Sequence, residues 1–428
     1  MAMLRPVSEM KESGIEWVGN IPSYWKVAPI RSCFNEVVEK NKDGLVKNAL
    51  KFTYGEIVPK TNFDADEDDY VADTILNYYV VFPGTIMING LNLNFDFISQ
   101  RTALVREKGI ITSAYVGIIP KDYSATLPEF MNYLFKAYDY RMAFHNMGGG
   151  VRKILNFARL KSQMVCFPGI KEQQAIAAYL DDRCSKMDEI IAEATASIEE
   201  YKELKQAVID QYSMFGINKD VDLRDTDYSW FPYMPAHWKL VRANRLFKED
   251  VRPMQDGDVS LSLSQIDGLI PTDDMSERSL KSATHDNWKH VIPEDLVLNR
   301  FKGHLGVFFA SKYEGMVSFH YGVYHAIRDG VLSKYYEYLF HSTTYKSIFA
   351  LLSNGITVGL QNLSNGNFYS IKLLLPPIEE QVDIVRHLDE RTSQIDALIS
   401  EKQALIDDLQ AYKKSLIYEV VTGKRRVV

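Results

Sequence analysis

Apolar residues recur at alternating intervals of four and three along two long stretches, which begin just after Pro168 and Pro377. From Ile170 and Ile378 onward, neither stretch contains proline or glycine until Gly216 and Gly423. This spacing is typical of the seam of a coiled coil. The predicted seam residues are Met187, Ile191, Ile198 and Tyr201 in the first stretch, and Ile395, Ile399, Ile406, Leu409 and Leu416 in the second. We predict two long helices whose seams pack together.

The sequence around the first stretch is repeated in the second half of the chain. Residues 168–188, PGIKEQQAIAAYLDDRCSKMD, resemble residues 376–396, PPIEEQVDIVRHLDERTSQID. Upstream, EWVGNIPSYWKVAPIRSCF from Glu16 resembles SWFPYMPAHWKLVRANRLF from Ser229, and NYLF from Asn132 resembles EYLF from Glu337. The chain is therefore a duplicated unit, in which a variable domain precedes each long helix. Two equivalent helices in one chain pair most simply in an antiparallel arrangement, about a pseudo-two-fold axis.

The variable domains contain short segments with the composition of strands. TILNYYVVF, GTIMING and AYVGIIP in the first domain, and DLVLNRF, GVFFAS and GVYHAI in the second, are rich in β-branched and aromatic residues. Apolar residues at helical spacing in LPEFMNYLFKAYDYRMAFHNM and LSKYYEYLFHSTTYKSIFALL predict that each domain continues with one helix, which a glycine-containing loop follows. We predict an α+β fold, with two α/β domains separated by two long α-helices that form an antiparallel coiled coil. The predicted boundaries are a domain at 1–167, a helix at 168–215, a linker and domain at 216–375, and a helix with its tail at 376–428.

One stretch of the first domain is basic and lacks acidic residues. Between Tyr140 and Val165 the sequence has five Lys or Arg residues and no Asp or Glu, although the whole chain carries a net charge of −7. Clustered cations attract phosphates, and glycines let a backbone approach a ligand closely. We therefore predict DNA contacts at Arg141, Gly149, Gly150, Arg152 and Lys153, together with Asn89 from the segment INGLNLN.

The second domain has related segments, LNRFKGH and SNGITVGLQNLSNG. Arginine makes paired hydrogen bonds to guanine, and asparagine or glutamine makes them to adenine. The predicted DNA contacts in this domain are Asn299, Arg300, Lys302, His304, Asn354 and Gln361. For any single one of these residues an ordinary solvated loop is the alternative, so the prediction depends on the patches as a whole.

No motif in the sequence points to catalysis, a metal or a membrane. The three cysteines are too few and too scattered for a zinc site or a disulfide framework, and the acidic run at 64–69 lacks the glycine spacing of a calcium loop. There is no GxxxxGK[ST] loop, the Pro376-Pro377 pair lacks the flanking residues of an adenine methyltransferase motif, and the Glu200-Tyr201-Lys202 segment lies on a predicted coiled-coil helix. Without an apolar run of roughly 18 to 20 residues, we expect no membrane partner and a cytoplasmic location.

Taken together, these residues resemble the specificity subunit of Type I restriction-modification enzymes. The resemblance is carried by the paired PxIxEQ motifs at Pro168 and Pro376, the YLDDR and HLDER that follow them, IPSYWK and MPAHWK, and SLIYEVVTGKRRV. It implies that the variable domains are target recognition domains, each reading one half of a split sequence in double-stranded DNA. It also implies that the helices fix the gap and bind two methyltransferase subunits, with motor-nuclease subunits as further partners. S-adenosylmethionine, ATP and magnesium would then belong to those partners, and this chain would carry no cofactor.

Two other classes of protein stay open. One is a coiled-coil assembly scaffold whose variable domains bind proteins, and the other is a free-standing enzyme with an unrecognised nuclease site. The basic stretch favours DNA reading over the scaffold, and the missing motifs argue against the enzyme. Apolar residues off the seam predict a second face for partner subunits: Ile190, Leu398, Leu405 and Tyr412. Because the middles of the two domains differ, we expect an asymmetric target.

Overall fold

The structure is a computed structural model that describes residues 3–53, 55–60, 75–98, 100–150, 153–264, 268–275, 287–357 and 360–427. Arg152 and the acidic run at 64–69 lie outside these ranges, and the side chains of 354–361 are also outside the description. The residues group into two compact units. Unit 1 comprises Met1–Ala194 and Ala404–Val428, and unit 2 comprises Thr195–Gln403. Each long helix therefore contributes residues to both units.

Helices of very different lengths alternate with short strands. The α-helices in the described ranges are α1 (Ile30–Cys33), α2 (Pro128–Tyr140), α3 (Ala143–Met147), α4 (Phe157–Leu160), α5 (Ile170–Phe215), α6 (Ser333–Phe340), α7 (Thr343–Leu352), α8 (Asn365–Ser370) and α9 (Ile378–Val421). Short 3-10 helices lie at Val7–Glu9, Ala243–Arg245, Thr272–Asp274 and Gly303–Leu305. None of the helices described is both long and apolar enough to cross a membrane.

The strands are short and mostly antiparallel in their pairing. In the first half they are β1 (Met3–Leu4), β2 (Met10–Glu12), β3 (Asn20–Pro22), β4 (Lys26–Pro29), β5 (Phe34–Glu36), β6 (Leu50–Thr53), β7 (Glu56–Pro59), β8 (Tyr79–Val81), β9 (Ile86–Ile88), β10 (Thr102–Leu104), β11 (Gly109–Ile111), β12 (Val116–Pro120) and β13 (Met164–Phe167). In the second half they are β14 (Leu223–Asp225), β15 (Tyr233–Pro235), β16 (Lys239–Arg242), β17 (Phe247–Glu249), β18 (Leu261–Ser264), β19 (Gly268–Pro271), β20 (Lys289–Val291), β21 (Leu296–Asn299), β22 (Phe308–Ala310), β23 (Gly315–Val317), β24 (Tyr321–Ala326), β25 (Asn354–Thr357), β26 (Leu360–Asn362), β27 (Lys372–Leu375) and β28 (Arg425–Arg426).

Unit 1 contains an antiparallel sheet in the order β10-β9-β12-β5 that is covered on both faces. Ile86 and Ile88 of β9 belong to the core cluster that contains Phe130 of α2, whereas Met87 belongs to a second cluster with Val81. Successive side chains of a strand point to opposite faces, so both faces of β9 are buried. This burial explains why β9 is an unbroken apolar run and not an alternating one.

Unit 2 repeats this arrangement with the sheet order β17-β24-β21-β22. Leu296 and Leu298 of β21 share a core cluster with Tyr336 of α6, and Val297 lies in a second cluster with Val323. The same two-sided burial in both units, together with the long helices, confirms the predicted α+β fold with an internal repeat.

The helix predicted before each glycine-containing loop is broken into two helices. In unit 1, α2 and α3 are separated by Met142, which has a φ of 55° in the left-handed region. In unit 2, Ser342 caps α7 by accepting a hydrogen bond from the backbone N–H of Tyr345. The prediction of one continuous helix was wrong because the apolar spacing continues across a break that is created by backbone conformation and capping.

In unit 2, the part of α5 that follows Ala194 runs antiparallel to the beginning of α9. Lys205 donates to the carboxylate of Asp396 at 2.7 Å. Further along α5, the ring of Tyr212 lies 4.3 Å from that of His387 on α9. Residue numbers therefore rise along α5 while those of the partner residues on α9 fall. This order of contacts defines an antiparallel pair.

Unit 1 contains the repeat equivalent of the same ion pair, in which Lys413 donates to Asp188 at 2.6 Å. The seam residues are buried or half-buried throughout both helices: Met187, Ile191, Ile198, Tyr201, Ile395, Ile399, Ile406, Leu409 and Leu416. The off-seam residues Ile190, Leu398, Leu405 and Tyr412 are exposed. The predicted antiparallel helix pair is confirmed, and the second apolar face is open in this chain.

A buried glutamine from each PxIxEQ motif fastens the variable domain to its long helix. Gln173 donates to the carbonyls of Ala125 and Pro168 and accepts from the backbone N–H of Leu127, each at 2.9 Å. Gln381 makes the same three bonds in unit 2, also at 2.9 Å, with Gly330, Pro376 and Leu332. Both side chains are fully buried, so every polar atom of the amide has to be satisfied inside the protein.

The repeated aspartates of YLDDR and HLDER have the same kind of role. The hydroxyl of Tyr133 on α2 donates to Asp181 at 2.8 Å, and that of Tyr338 on α6 donates to Asp389 at 2.6 Å. Each bond links the helix that covers the sheet to the long helix of the same unit. The motifs common to the two halves are therefore the joints between domain and helix.

Glycine is required where each long helix ends. Gly216 and Gly423 have φ values of 78° and 72°, in the left-handed region. A side chain at Gly423 would collide with Pro22 and Trp25, and one at Gly216 would press on Trp238. The IPSYWK and MPAHWK segments thus pack on the ends of the helices.

Candidate nucleic-acid interface

Two segments of unit 1 that are distant in sequence meet beyond the end of β9. The backbone N–H of Leu155 donates to the carbonyl of Gly90 at 2.9 Å. The Nε2 atom of His145 lies 2.9 Å from the carbonyl oxygen of Asp96. We name residues 89–98, 148–150 and 153–159 the first reading surface. It includes four of the predicted DNA contacts: Asn89, Gly149, Gly150 and Lys153.

A buried arginine holds the loop of the first reading surface from inside. Arg101 is 1% exposed, and its guanidinium donates to the carbonyls of Asn89 at 3.2 Å, Leu91 at 2.7 Å and Asp96 at 2.6 Å. Hydrogen bonds from a charged donor are stronger than those between neutral groups. The backbone of this loop is therefore shaped by a buried cation.

Two carboxylates lie near this arginine, Asp139 of α2 and Asp96 of the loop. The Oδ2 atom of Asp139 accepts a hydrogen bond from the backbone N–H of Arg101 at 2.8 Å. Burial raises the pKa of Asp139 to about 6, although the backbone hydrogen bond and the charge of Arg101 act to lower it. The guanidinium itself forms its ion pair with Asp96, whose Oδ2 atom lies 3.8 Å from Nη2.

Gly150 and Gly149 of the first reading surface differ in their structural surroundings. Gly150 has a φ of 82°, which favours glycine on backbone conformation alone. At Gly149 the guanidinium of Arg159 lies against the backbone, so a side chain there would displace this flexible arginine. Lys153 and Arg159 are both exposed, so the surface presents two cations to solvent.

Two predicted contacts are not part of the first reading surface as described. The guanidinium of Arg141 lies 4.3 Å from the ring centroid of Tyr418 on α9, where it makes a cation-π contact. Arg152 lies outside the described residues.

Unit 2 brings equivalent segments together beyond the end of β21. The backbone N–H of Leu363 lies 3.4 Å from the carbonyl oxygen of Arg300, and the guanidinium of Arg300 donates to Asn365 at 2.9 Å. We name residues 299–306, 353–357 and 360–365 the second reading surface. It includes all the contacts predicted in this domain: Asn299, Arg300, Lys302, His304, Asn354 and Gln361. For Asn354 and Gln361 only the backbone is described.

The glycine-containing segment of unit 2 differs from the predicted loop. It contains the antiparallel pair β25 and β26, in which Asn354 pairs with Asn362 and Thr357 with Leu360. The prediction of a loop was wrong because the β-branched residues Ile356 and Thr357 favour extended backbone.

Arg300 is neutralised inside unit 2 by a carboxylate from a distant strand. Its guanidinium donates to Glu249 of β17 at 2.6 Å, and Lys289 donates to the same oxygen at 3.0 Å. Burial acts to raise the pKa of Glu249, but hydrogen bonds from Asn365 and Lys289 and the charge of Arg300 lower it overall. A base that bonds to Arg300 has to compete with Glu249, so the arginine contributes to the position of the loop.

Lys302 and His304 are the more accessible members of this loop. Lys302 is exposed, and His304 is half-buried with an Nδ1 atom that has no hydrogen-bond partner among the described residues. His304 also lines a cleft of about 520 Å³ together with Lys205 and Lys346. These side chains give the second reading surface a cationic edge.

Sequence reasoning missed Arg101 and Glu249, which shape the two reading surfaces. Each is a single charged residue whose partners lie elsewhere in the chain, so neither spacing nor composition marks it. For Arg101 the only signal in the sequence is a charged residue directly before the apolar β10, where full burial demands internal partners.

The described residues contain no candidate metal-binding site. Across those ranges, no group of three or more His, Cys, Asp or Glu side chains is placed to hold a metal ion. The histidine that lies deepest in unit 2, His290, pairs with Asp258 at 2.9 Å.

A family model described as Type I restriction modification DNA specificity domain matches this chain twice, over residues 81–200 and 269–407. The two matches cover more than half of the sequence. The chain belongs to this family. It is a non-catalytic DNA specificity subunit of the Type I restriction-modification kind, with its recognition domains in two repeats, and the predicted resemblance is confirmed.

Two solved structures are similar in fold. The first is a chain from work on complex assembly and conformational transition of the type I R-M system, with a TM-score of 0.68 and 14% identity. That match covers 94% of this chain and 99% of the other. The second is the HsdS subunit from Thermoanaerobacter tengcongensis, with a TM-score of 0.50, 14% identity and coverage of 94% and 98%. At this identity the matches establish a common fold across nearly the full length of this specificity subunit.

Proposed function

We propose that this specificity subunit reads a bipartite, asymmetric sequence in double-stranded DNA. The domains at 1–167 and 216–375 act as the two target recognition domains, and the helices within 168–215 and 376–428 act as the spacer. The observation that carries the proposal is that each unit joins the loop after its central strand to a distant segment with basic or amide side chains.

The chemistry of both reading surfaces suits a duplex. Lysine and arginine bind phosphates and fix the register, whereas amide and guanidinium groups bond to base edges. The first surface offers Lys153 and Arg159, and the second offers Lys302 beside His304. Since the two surfaces differ in sequence, each is expected to read its own half-site.

The proposal includes two methyltransferase subunits and, through them, restriction motor-nuclease subunits. The exposed apolar residues of the long helices support it: Ile190, Leu398, Leu405 and Tyr412. Exposed apolar side chains in numbers mark surfaces for protein partners. S-adenosylmethionine, ATP and magnesium belong to those partners in this proposal, and this chain contributes only recognition and positioning.

A cytoplasmic location is part of the same proposal. Cys33, Cys166 and Cys184 are buried free thiols, and burial raises the pKa of Cys166 to about 12. Protonated, buried thiols fit a reducing compartment, which is also where host DNA is found.

Single-molecule sequencing for methylated adenine tests the function directly. The host genome is sequenced with the gene, without it, and after its return. We expect deletion to abolish methylation of one split, asymmetric motif, and the restored gene to bring it back. An unchanged methylome in a host whose methyltransferase subunits are expressed would contradict the proposal.

Binding by the assembled complex tests the first reading surface. Once the motif is known, Lys153→Ala with Arg159→Ala should weaken binding. The slope of log affinity against log salt should fall by about one unit for each phosphate that the variant no longer neutralises. Arg183→Ala, an exposed cation on α5, is the control. An unaltered salt slope in the double variant would remove these residues from the interface.

A further inference from the structure

Exposed apolar side chains are concentrated at the tip of the loop in the first reading surface. Phe97 is 56% exposed and Ile98 is 97% exposed. The ring of Phe97 stacks on His145, with centroids 5.2 Å apart and planes 16° from parallel. The histidine holds one face of the phenylalanine, because its own Nε2 is fixed beside the carbonyl of Asp96. The ring therefore has one face covered by the histidine and is otherwise open to solvent.

The second reading surface carries an aromatic group in the corresponding loop. Phe301 is 39% exposed and lies against His320, with centroids 4.7 Å apart. His320 in turn lies against Phe319, which is 52% exposed, at 3.7 Å. Three rings thus form a platform whose outer members are open to solvent. Lys302, the residue after Phe301, is exposed beside it.

This repetition is not explained by packing of the units themselves. Apolar side chains that serve a core are buried, whereas these rings lie in loops, contact histidines and belong to neither of the two large core clusters. Sequence alignment does not superimpose them, since Phe97 lies nine residues after β9 and Phe301 two residues after β21. Each domain thus has an exposed phenylalanine against a histidine, at a different position of the equivalent loop.

The neighbours of the rings favour a nucleic acid over a protein as the ligand. Each ring belongs to a reading surface that also presents an exposed lysine, Lys153 in unit 1 and Lys302 in unit 2. The cleft that Phe97 lines contains further cations, Arg106, Lys136 and Lys414, together with carboxylates such as Asp181. A flat ring beside a phosphate-binding cation suits a nucleotide, whose base has an apolar face and whose phosphate is an anion. Aromatic and apolar wedges of this kind also open base steps in duplex DNA.

We infer that Phe97 and Phe301 each stack on a nucleobase in their own half of the DNA target, at a step that the reading surface partly unstacks. The inference deepens the proposed function and rests on it. Each ring contributes contact with a base face, and the neighbouring cations hold the adjacent phosphate. Recognition at that step then depends on how easily it opens, in addition to hydrogen bonds to base edges.

The test uses the full complex with methyltransferase subunits and a duplex containing its methylated motif. Affinity is measured for Phe97→Ala and Phe301→Ala, with Phe→Trp at each position to restore a ring. Alanine should weaken binding by about 5- to 150-fold, as for other base-stacking residues, while the salt slope stays at the wild-type value because no charge is removed. Tryptophan should retain the affinity.

Photocrosslinking assigns each ring to a half-site. Iodinated pyrimidines are placed one at a time along the duplex, and crosslinked peptides are identified by mass spectrometry. We expect Phe97 to crosslink in one half-site only and Phe301 in the other. Matched controls are Phe82→Ala and Tyr313→Ala, which remove rings of 37% and 42% exposure. Phe82 precedes β9 and Tyr313 follows β22, so both lie away from the loops that follow β9 and β21.

The outcomes are separable. Alanine variants that bind the target as tightly as the wild type would overturn the inference. A variant complex that loses its methyltransferase subunits while its DNA crosslinks are unchanged would also overturn it, because the rings would then be a protein interface. If the wild-type complex does not bind its motif at all, the proposed function itself fails. A loss of affinity at both half-sites equal to that of the control variants would also overturn the inference, because it would reflect general destabilisation.

Discussion

Replacing Arg101 with methionine removes the buried cation that shapes the first reading surface. Methionine keeps the apolar bulk of the arginine stem but has no donor for the carbonyls of Leu91, Asp96 and Asn89. It also removes the positive charge that acts to lower the pKa of Asp139, so the pKa of that carboxyl group should rise further above about 6. The loop then loses the hydrogen bonds that fix its backbone, while the core of the sheet stays packed.

The expected cost follows from the hydrogen bonds of the guanidinium. Each hydrogen bond to a charged group contributes roughly 1.5 to 3 kcal/mol, but the loop carbonyls regain water and the desolvation of a buried cation is relieved. A net loss of about 3 kcal/mol for unit 1 is the result of these opposing effects. For a unit of this size it corresponds to a fall of about 6 to 12 °C in the unfolding temperature.

Thermal unfolding of the whole chain at pH 7 measures this loss, and methylation sequencing of hosts that carry the variant measures its effect on recognition. We expect Arg101→Met to relax the first half-site and to leave the second half-site unchanged. The control is Arg106→Met, an exposed arginine two residues after β10. If Arg101→Met unfolded at the wild-type temperature with an intact motif, the claim that a buried cation shapes the loop would be refuted.

Three further predictions concern the joints and the helices. Gln381→Met should cost about 3 kcal/mol of stability in urea unfolding, because three buried backbone groups lose their hydrogen-bond partner. The control, Gln211→Met at an exposed position of α5, should cost almost nothing. His341 is packed in unit 2, and burial, with Lys346 and Lys334 nearby, lowers its pKa to about 3. This value is below the unfolded pKa of about 6.5, so the stability that His341 contributes is complete above pH 6.5 and is lost as the pH falls towards 3. The expected loss is about 2.7 kcal/mol at pH 4.5, and His341→Gln should remove this loss from urea midpoints. Four residues, about one helical turn, are inserted after Ala194 and another four after Gln403. The gap between the two halves of the methylated motif should then lengthen by about two base pairs, and an unaltered gap would show that the helices are not the spacer.

What the sequence could predict is what depends on local pattern and on the repeat. The long helices followed from periodicity, and their antiparallel pairing followed from two equivalent helices in one chain. Two central strands, β9 and β21, were marked by apolar runs. The repeated motifs were recognised as similar, but their role was not predicted. A glutamine such as Gln173 becomes a joint only when three backbone groups from two segments converge on it.

The remaining features depend on tertiary structure. The break at Met142 could not be predicted because methionine seldom adopts a left-handed conformation, and the surrounding fold imposes it. Arg300 was predicted as a DNA contact on residue type, whereas its bond to Glu249 joins residues from different strands. The rings of Phe97 and Phe301 are ordinary apolar residues in the sequence, and only their exposure and their histidine partners distinguish them.

The division of the chain into one continuous unit and one assembled unit has a consequence for synthesis. Unit 2 is a single stretch, but the core of unit 1 includes Leu416 and Ile417 from the last segment described, next to residues such as Leu180 near the start of α5. At about 5 to 20 residues per second, a ribosome needs roughly 10 to 40 s to translate the stretch between the two parts of unit 1. During that interval the first domain waits with an uncovered apolar face, so the half translated first completes its fold last, and it is the half that a chaperone or a protease meets on the nascent chain.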